Sequence, residues 1–192
     1  MKKDFKKAIS VLRAGGVAAH ATDTCYGFAC DIFNCCALNR LYKLKRMPKL
    51  KPVSILVANF KMAQRFGVFN KTAKMLVRKY WPGALTIIVK RKKSLPFFLN
   101  PNISSIAIRV PNHKLSRQLA QKLSRPITTT SANISGLPSP YSVSAIKKQF
   151  RGKKPKPDFI INSGRLKKNP PSTIVDASGR VFKIIRQGEI QI

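Results

Sequence analysis

Short runs of β-branched and apolar residues alternate along this chain with longer segments of helical period, and that alternation most narrows the folds open to it. VAAHA (17–21), VSILVA (53–58), ALTIIVK (84–90), SIAIRV (105–110) and ITTTS (127–131) read as strands. Between them Asp4 is placed to cap a helix running to Gly15-Gly16, with Phe5, Ile9 and Leu12 on one face, and Asp31 to cap a second helix through Leu44. Asn70 to Tyr80 reads as a helix stopped near Pro82-Gly83, Asn112 to Ser124 as one with Leu115, Leu119 and Leu123 on one side, and Ser142 to Phe150 as another. TDTCYGF (22–28) and the stretch between strands at 90 and 105 read as loops. The tail reads as a basic, Pro-containing loop followed by short strands in DFIINSG, STIVDAS and VFKIIR. Strands interleaved with helices predict an α/β fold, and the strand-rich end predicts some antiparallel pairing. With 192 residues, no internal repeat and no linker-like break in composition, the expectation is a single domain over 1–192.

Charge narrows the partners. Thirty-eight Lys and Arg stand against six Asp and Glu, a formal +32, with local clusters at 90–93, 147–156 and 165–168. A body so charged repels itself, and a polyanion such as RNA, DNA or a phosphate-rich substrate relieves that repulsion. A general lysine bias of the source is the competing explanation. The KRKK cluster matches a nuclear signal, but in a chain this basic the match carries little weight. Cys25, Cys30, Cys35 and Cys36 all lie in the first fifth of the chain, so the expectation is buried reduced thiols. Their spacing has no CxxC pair and only His20 nearby, so no structural metal is expected. No apolar run approaches bilayer length, and Met1-Lys2-Lys3-Asp4 leads into a mixed segment, so a cytoplasmic location without membrane attachment is expected.

The run TTTSANISG (128–136) raises the question of chemistry. Its β-branched start and its Asn133, Ser135 and Gly136 suit a strand and turn, yet its hydroxyls also suit a polar cradle for an anion. Thr22-Asp23-Thr24, Arg109 and Ser172-Thr173 also fall where strands end, and in open α/β sheets ligands bind outside the carboxyl ends of strands. Lys45-Arg46, ending the second helix, can reach the same place. A lining of hydroxyls and cations with almost no carboxylate suits a phosphate-bearing substrate better than a glycoside or peptide. There is neither a GxxxxGK[ST] nor a GxGxxG motif.

HATDTCYGF, YKLKRMPKLKPVSILV, KYWPGALTIIV, IAIRVPNH, TTTSANISGLPSP, PSTIVD and IIRQG, in that order, resemble successive segments of the threonylcarbamoyl-AMP synthase family, the TsaC, YrdC and Sua5 proteins. The resemblance covers nearly the whole chain. It implies a YrdC/RibB-like twisted mixed β-sheet with parallel and antiparallel strands, flanked by helices, without the additional C-terminal domain of the longer Sua5 form. It also implies conversion of L-threonine, bicarbonate and ATP to threonylcarbamoyl-AMP and pyrophosphate, with Mg2+ brought by ATP. The product would pass to downstream threonylcarbamoyl-transferase machinery for t6A in ANN-decoding tRNAs. Residue by residue, Lys45, Ser105, Ser131, Asn133, Ser139 and Arg186 fall on the family's ATP contacts. Thr22, Arg109, Thr129 and Ser172 fall on its threonine contacts. The basic surface is expected to hold tRNA or duplex RNA.

The sequence departs from the family at Ala21, Phe28 and Met47, where the family usually carries proline, leucine and the arginine of Lys-x-Arg-Pro. Met47 removes a cation from the phosphate motif, and Arg46 is the nearest candidate to supply one. A non-catalytic RNA binder on the same scaffold is the competing function, and a carbamoyl-transfer module like that of hydrogenase maturation proteins is a third. His113 is expected to start a helix, and Tyr26 either packs or contacts ligand.

Overall fold

A computed structural model describes residues 2–48 and 51–192; Met1 and the Lys49-Leu50 pair of the KRMPKLKP stretch lie outside the described residues. The chain runs α1 (Lys2–Arg13), β1 (Ala18–Ala21), β2 (Tyr26–Ala29), α2 (Cys35–Lys45), β3 (Ser54–Leu56), α3 (Phe60–Ala63), β4 (Gly67–Val68) and α4 (Lys71–Tyr80). It continues through β5 (Leu85–Arg91), β6 (Ser105–Arg109), α5 (Lys114–Leu123), β7 (Ile127–Ser131), α6 (Val143–Gln149), β8 (Phe159–Ile160), β9 (Thr173–Asp176) and β10 (Lys183–Arg186). All the strands join one sheet in the order β10-β9-β5-β6-β3-β7-β2-β1-β8, with β4 added beside β5. The pairs β1/β8, β3/β6 and β5/β9 are parallel and the others antiparallel, so the sheet is mixed.

Local chemistry explains where the expected elements shift. TDTCYGF is a loop only through Cys25. Thr22 Oγ1 accepts from the N–H groups of Thr24 and Cys25, both at 3.2 Å, and donates to the Cys25 carbonyl at 2.7 Å. That knot reverses the chain, and Tyr26 and Phe28 then return as β2 against β1, fully buried. Asp31 does not cap α2. Asn34 does, accepting from Ala37 N, while Asp31 accepts from Phe33 N and pairs with Arg125 at 2.9 Å. Asp4 sits within the first turn of α1, where its charge favours the helix N-terminus. His113 caps α5, as expected of a helix-start residue. The elements α3 and β4 are too short to leave a periodic trace in the sequence.

Strand alternation sorts side chains onto two faces of the sheet. Leu85, Ile87 and Val89 of β5, Ile106 and Ile108 of β6, Ile55 of β3 and Phe28 of β2 join one cluster with Leu38 and Leu41 of α2, Leu76 of α4 and Ile146 of α6. On the other face Ala18, Ala29, Leu56 and Ile127 lie beneath Ile9 and Leu12 of α1 and Leu119 of α5. That second layer stops short. Farther along the same face Thr86 lies opposite both Arg109 and Ile174, and Ser54 lies opposite Thr129. This uncovered part of the sheet is polar.

His20, in β1 under α5, is completely buried, with Nδ1 3.2 Å from Ser116 Oγ and 3.0 Å from the Ala21 carbonyl; Nε2 has no hydrogen-bond partner among the described residues. Burial lowers its pKa to about 4. An unfolded imidazole takes up its proton near pH 6.5 while the folded one waits until about pH 4, so the unfolded state binds more protons in between. Stability therefore falls as pH drops through that window, by up to about 3 kcal/mol at its lower end. Urea denaturation from pH 7 to 4 is expected to show this slope, and His20→Leu to flatten most of it. An unchanged slope in the variant would assign it to other groups.

Candidate active site

The polar part of the face is the floor of a cleft. One chamber, of about 310 Å³, is lined by residues that include Thr22, Cys25, Thr86, Arg109, Ser172 and Arg186. A second, of about 210 Å³, adjoins it and is lined by residues that include Lys45, Met47, Lys51, Asn133 and Gly136. Ser54, Thr129, Thr130 and Ser131 line both, so the end of β7 is their common wall. No carboxylate lines either chamber among the described residues. The sequence pattern placed this site at the carboxyl ends of strands. Because β7 runs antiparallel to β3, and β5 to β6, not all of those ends lie at one edge of the sheet, although Arg109 at the end of β6 does meet Asp23 and Thr24 just beyond the end of β1. The shared feature is the face instead.

In the larger chamber Arg109 is 5% exposed. It pairs with Asp23 at 2.6 Å and donates to Thr24 Oγ1 at 3.2 Å and the Gly83 carbonyl at 3.3 Å. Three of its five N–H groups are thus held by protein and two remain for a ligand. Asp23 also accepts from Asn112 N, and Asn169 donates to the Asp23 carbonyl, so the loop before β9 folds over this end. Arg186, on the neighbouring edge strand, grips the Ser172 carbonyl with Nη2 at 2.7 Å and Ser172 Oγ at 3.1 Å; Ser172 Oγ also lies 2.9 Å from Thr86 Oγ1. Burial, and then the positive charge of Arg109, lower the Arg186 pKa. Two guanidinium groups that feel one another across a carboxylate-free chamber form a receptor for an anion. Gly188 lets the C-terminal segment close on Ser172, since a Cβ there would lie 2.1 Å from the Pro171 carbonyl oxygen. The Cys25 thiol is pushed up by burial, so it stays protonated and is no nucleophile at neutral pH.

In the smaller chamber Lys45 is 4% exposed. Its ammonium donates to the Ser131 carbonyl at 2.5 Å, the Asn133 carbonyl at 2.9 Å and Asn133 Oδ1 at 3.2 Å. An ammonium has three protons, and here all three are taken. Burial, with Lys51 nearby, lowers the Lys45 pKa to about 8. The Asn133 amide is equally committed: Oδ1 also accepts from Ser131 Oγ, and Nδ2 donates to the Ile134 and Leu137 carbonyls. Lys45 and Asn133 therefore shape the loop after β7, and a ligand meets that loop rather than their spare donors.

Arg46, the expected substitute for the missing cation, faces away. It is the left-handed C-cap of α2 (φ 50°), its N–H bonding the carbonyls of Lys43 and Tyr42, and its side chain is exposed. The helix end is an ordered cap rather than frayed, and that cap sends Met47 inward, 9% exposed, and Arg46 outward. A second cation that lines the chamber is Lys51, which the sequence reading missed; among the described residues no hydrogen bond or ion pair engages its amine. Thr22, Arg109, Thr129, Ser131, Ser139, Ser172 and Arg186 all line the larger chamber, and Ser131, Thr129, Lys45 and Asn133 the smaller. Ser105 lines neither. It occupies the same face of β6 as Arg109 but four residues away, about 13 Å along the strand. Tyr26 packs, its hydroxyl donating to the Gly164 carbonyl. Of the cysteines only Cys30 is fully buried; Cys35 and Cys36 are exposed at the start of α2, contrary to the expectation of buried thiols. Ser54 and Thr86, also missed, carry a visible signal: each is a lone hydroxyl within an apolar strand.

A family model described as telomere recombination, that of the Sua5, YciO and YrdC proteins, matches residues 10–188. The chain belongs to the Sua5/YciO/YrdC family. It is 34% identical to a putative threonylcarbamoyl-AMP synthase of Methanocaldococcus jannaschii, over all of this chain and 90% of that one. It is 32% identical to human threonylcarbamoyl-AMP synthase over 96% of this chain and 67% of the other. The solved structure of Pyrococcus abyssi Sua5 complexed with L-threonine superimposes with a TM-score of 0.90 at 28% identity, covering 98% of this chain and 55% of that one. This chain thus spans little more than half of the longer Sua5 protein. The mixed sheet flanked by helices is the family's fold.

If Lys45 holds the loop, its loss is felt locally. Lys45→Met is expected to keep the fold but to raise amide hydrogen exchange across residues 132–137 by about tenfold or more, with β7 itself unchanged. Unchanged exchange in the loop would return Lys45 to the role of a simple ligand contact.

Proposed function

We propose that this chain makes threonylcarbamoyl-AMP from L-threonine, bicarbonate and ATP, releasing pyrophosphate. The observation that carries the reading is the pair of joined, carboxylate-free chambers with β7 as common wall, one built around a half-committed arginine and the other around cations. The threonine carboxylate takes the two free N–H groups of Arg109, whose geometry favours a bidentate pair. Thr129 and Ser172 orient its hydroxyl and amine, and Thr22 acts through the knot that sets Thr24 and Cys25. The amine attacks CO2 or bicarbonate to form a carbamate, with loss of water from bicarbonate. A carbamate oxygen then displaces pyrophosphate from the α-phosphate, forming the mixed anhydride.

No enzyme nucleophile enters, in keeping with the protonated Cys25 thiol. What the residues supply is position and charge. Ser131 stands on the wall that the two chambers share, Ser139 and Arg186 line the larger chamber, and the loop shaped by Lys45 and Asn133 receives the triphosphate with Lys51. Mg2+ enters with ATP as part of the substrate, since among the described residues no carboxylate lines either chamber to hold it. Ser105, an ATP contact by family resemblance, serves only if the nucleotide extends along β6. Among the described residues no helix is long and apolar enough to cross a membrane, and a cytoplasmic enzyme remains the reading.

The test is pyrophosphate release from ATP, which is expected to depend on L-threonine and bicarbonate. Lys51→Ala is expected to raise KM for ATP about tenfold, the loss of one charge-assisted contact, with KM for threonine unchanged. Arg46→Ala is expected to be silent. No threonine-dependent release from the wild type would leave a non-catalytic scaffold; equal effects of the two substitutions would bring Arg46 back to the site.

For the proposed RNA partner, tRNA for the downstream transferase machinery, a basic depression beside the cleft is the candidate surface. Lys148, Arg165 and Lys168 line a depression of about 350 Å³ that shares Ser139 and Tyr141 with the larger chamber. Binding of tRNA or duplex RNA is expected to weaken by a few powers of ten between about 50 and 200 mM salt if roughly six or more phosphates are engaged. Reversal of those three charges should flatten the dependence. A flat salt response of the wild type would leave the basic composition without an RNA surface.

A further inference from the structure

A cavity larger than either chamber lies elsewhere in the molecule. It is a groove of about 1640 Å³ on the outer side of the α1 and α5 layer. Pockets for small ligands run to about 300–1,000 Å³, and this open groove exceeds that range. A helix about 10 Å across fills such a volume with about 20 Å of its length, or roughly thirteen residues. The groove's floor is apolar, with Phe5 and Ile9 one turn apart on α1 and Leu115 on α5. Its walls carry Lys6 and Arg13 from α1 and Lys114 and Lys122 from α5, with no Asp or Glu in the lining among the described residues. Arg13 Nη2 reaches the Lys122 carbonyl at 3.4 Å and bridges the two helices. At its other end Ser163 contributes to the wall, and Ser163 Oγ is buried without a hydrogen-bond partner among the described residues.

We propose that this groove seats an acidic amphipathic helix of a partner protein. The apolar stripe of such a helix covers Phe5, Ile9 and Leu115, and its flanking carboxylates meet the four cations. This is the helix-in-groove mode, read as anchors at i, i+4 and i+7. The floor separates the proposal from the RNA surface beside the cleft: a phosphate backbone is attracted by the cations but gains nothing from covering two aliphatic side chains and a phenyl ring. Asn112 belongs both to the groove wall and, through its backbone N–H, to Asp23, the ion-pair partner of Arg109. A protein docked here therefore stands next to the arginine end of the cleft.

The probe is a fluorescently labelled helical peptide of about fourteen residues, with leucines at i, i+4, i+7 and i+11 and glutamates flanking the stripe. A scrambled peptide of the same composition, without the stripe, controls for attraction to a basic protein. By anisotropy at physiological salt, the full chain is expected to bind the striped peptide at least tenfold more tightly than the scrambled one. Leu115→Glu and the double substitution Lys114→Glu, Lys122→Glu are each expected to lose at least that tenfold, with folds checked by circular dichroism; Lys93→Glu, outside the groove, should leave binding unchanged. Equal binding of the two peptides, no binding up to about 1 mM, or wild-type binding by the groove variants overturns the proposal. So does duplex RNA binding that is lost in the double lysine variant and kept in Leu115→Glu, which would make the groove a nucleic-acid surface.

Discussion

The ammonium of Lys45 ties the last residue of α2 to the loop that follows β7. An unpaired charge buried this deeply would cost several kcal/mol, and it is tolerated because three oxygen acceptors surround it. Two of them are backbone carbonyls, so the interaction fixes the course of the chain through Ser131 and Asn133 and not merely one side chain. Asn133 then spends its amide on Ile134 and Leu137 and on the Ser131 hydroxyl, carrying the constraint through the turn. Immediately after Lys45 the left-handed cap turns Arg46 to solvent and Met47 to the core. The geometry of the smaller chamber follows from that one buried charge and the helix end beside it.

The larger chamber follows from an incomplete layer. Helices α1 and α5 cover the apolar residues near β1, β2 and β7 and leave Thr86, Arg109, Ser54 and Thr129 uncovered on the same face. A sheet face that is half core and half cleft needs apolar and polar residues on one side of neighbouring strands, and register supplies this: Leu56 and Ser54 are two residues apart on β3, one under the helices and one in the cleft. Arg109 shows the electrostatic side of the arrangement. Its pairing with Asp23 lowers the cost of its burial yet leaves donors free, so the chamber is receptive to a carboxylate without holding an isolated charge.

Much of this was legible in the sequence. Short β-branched and apolar runs marked β1, β3, β5, β6 and β7, and the order of seven motifs identified the family. Hydroxyls and cations without carboxylates pointed to an anion-binding cleft. Other features depend on contacts that sequence spacing does not carry. The second strand was hidden because its start is set by the hydroxyl of Thr22 rather than by a hydrophobic pattern. The convergence of Arg109 with Ser172 arises from the lateral order of β6, β5 and β9, which places residues 63 positions apart beside one another. Arg46 was a reasonable substitute by proximity, but one left-handed residue reverses which neighbour faces the cleft. Lys51 was overlooked because it lies six residues from Lys45 along the chain, across the Lys49-Leu50 stretch.

The account's central claim is that the two chambers hold the two substrates on either side of the β7 end. A crystal structure of the protein grown with L-threonine, bicarbonate and a non-hydrolysable ATP analogue tests this most directly. The amino acid carboxylate is predicted to lie on Arg109, and the triphosphate on the loop at 131–136 with the Lys51 amine turned towards it. Threonine bound elsewhere, or a triphosphate that bypasses that loop, would contradict the account.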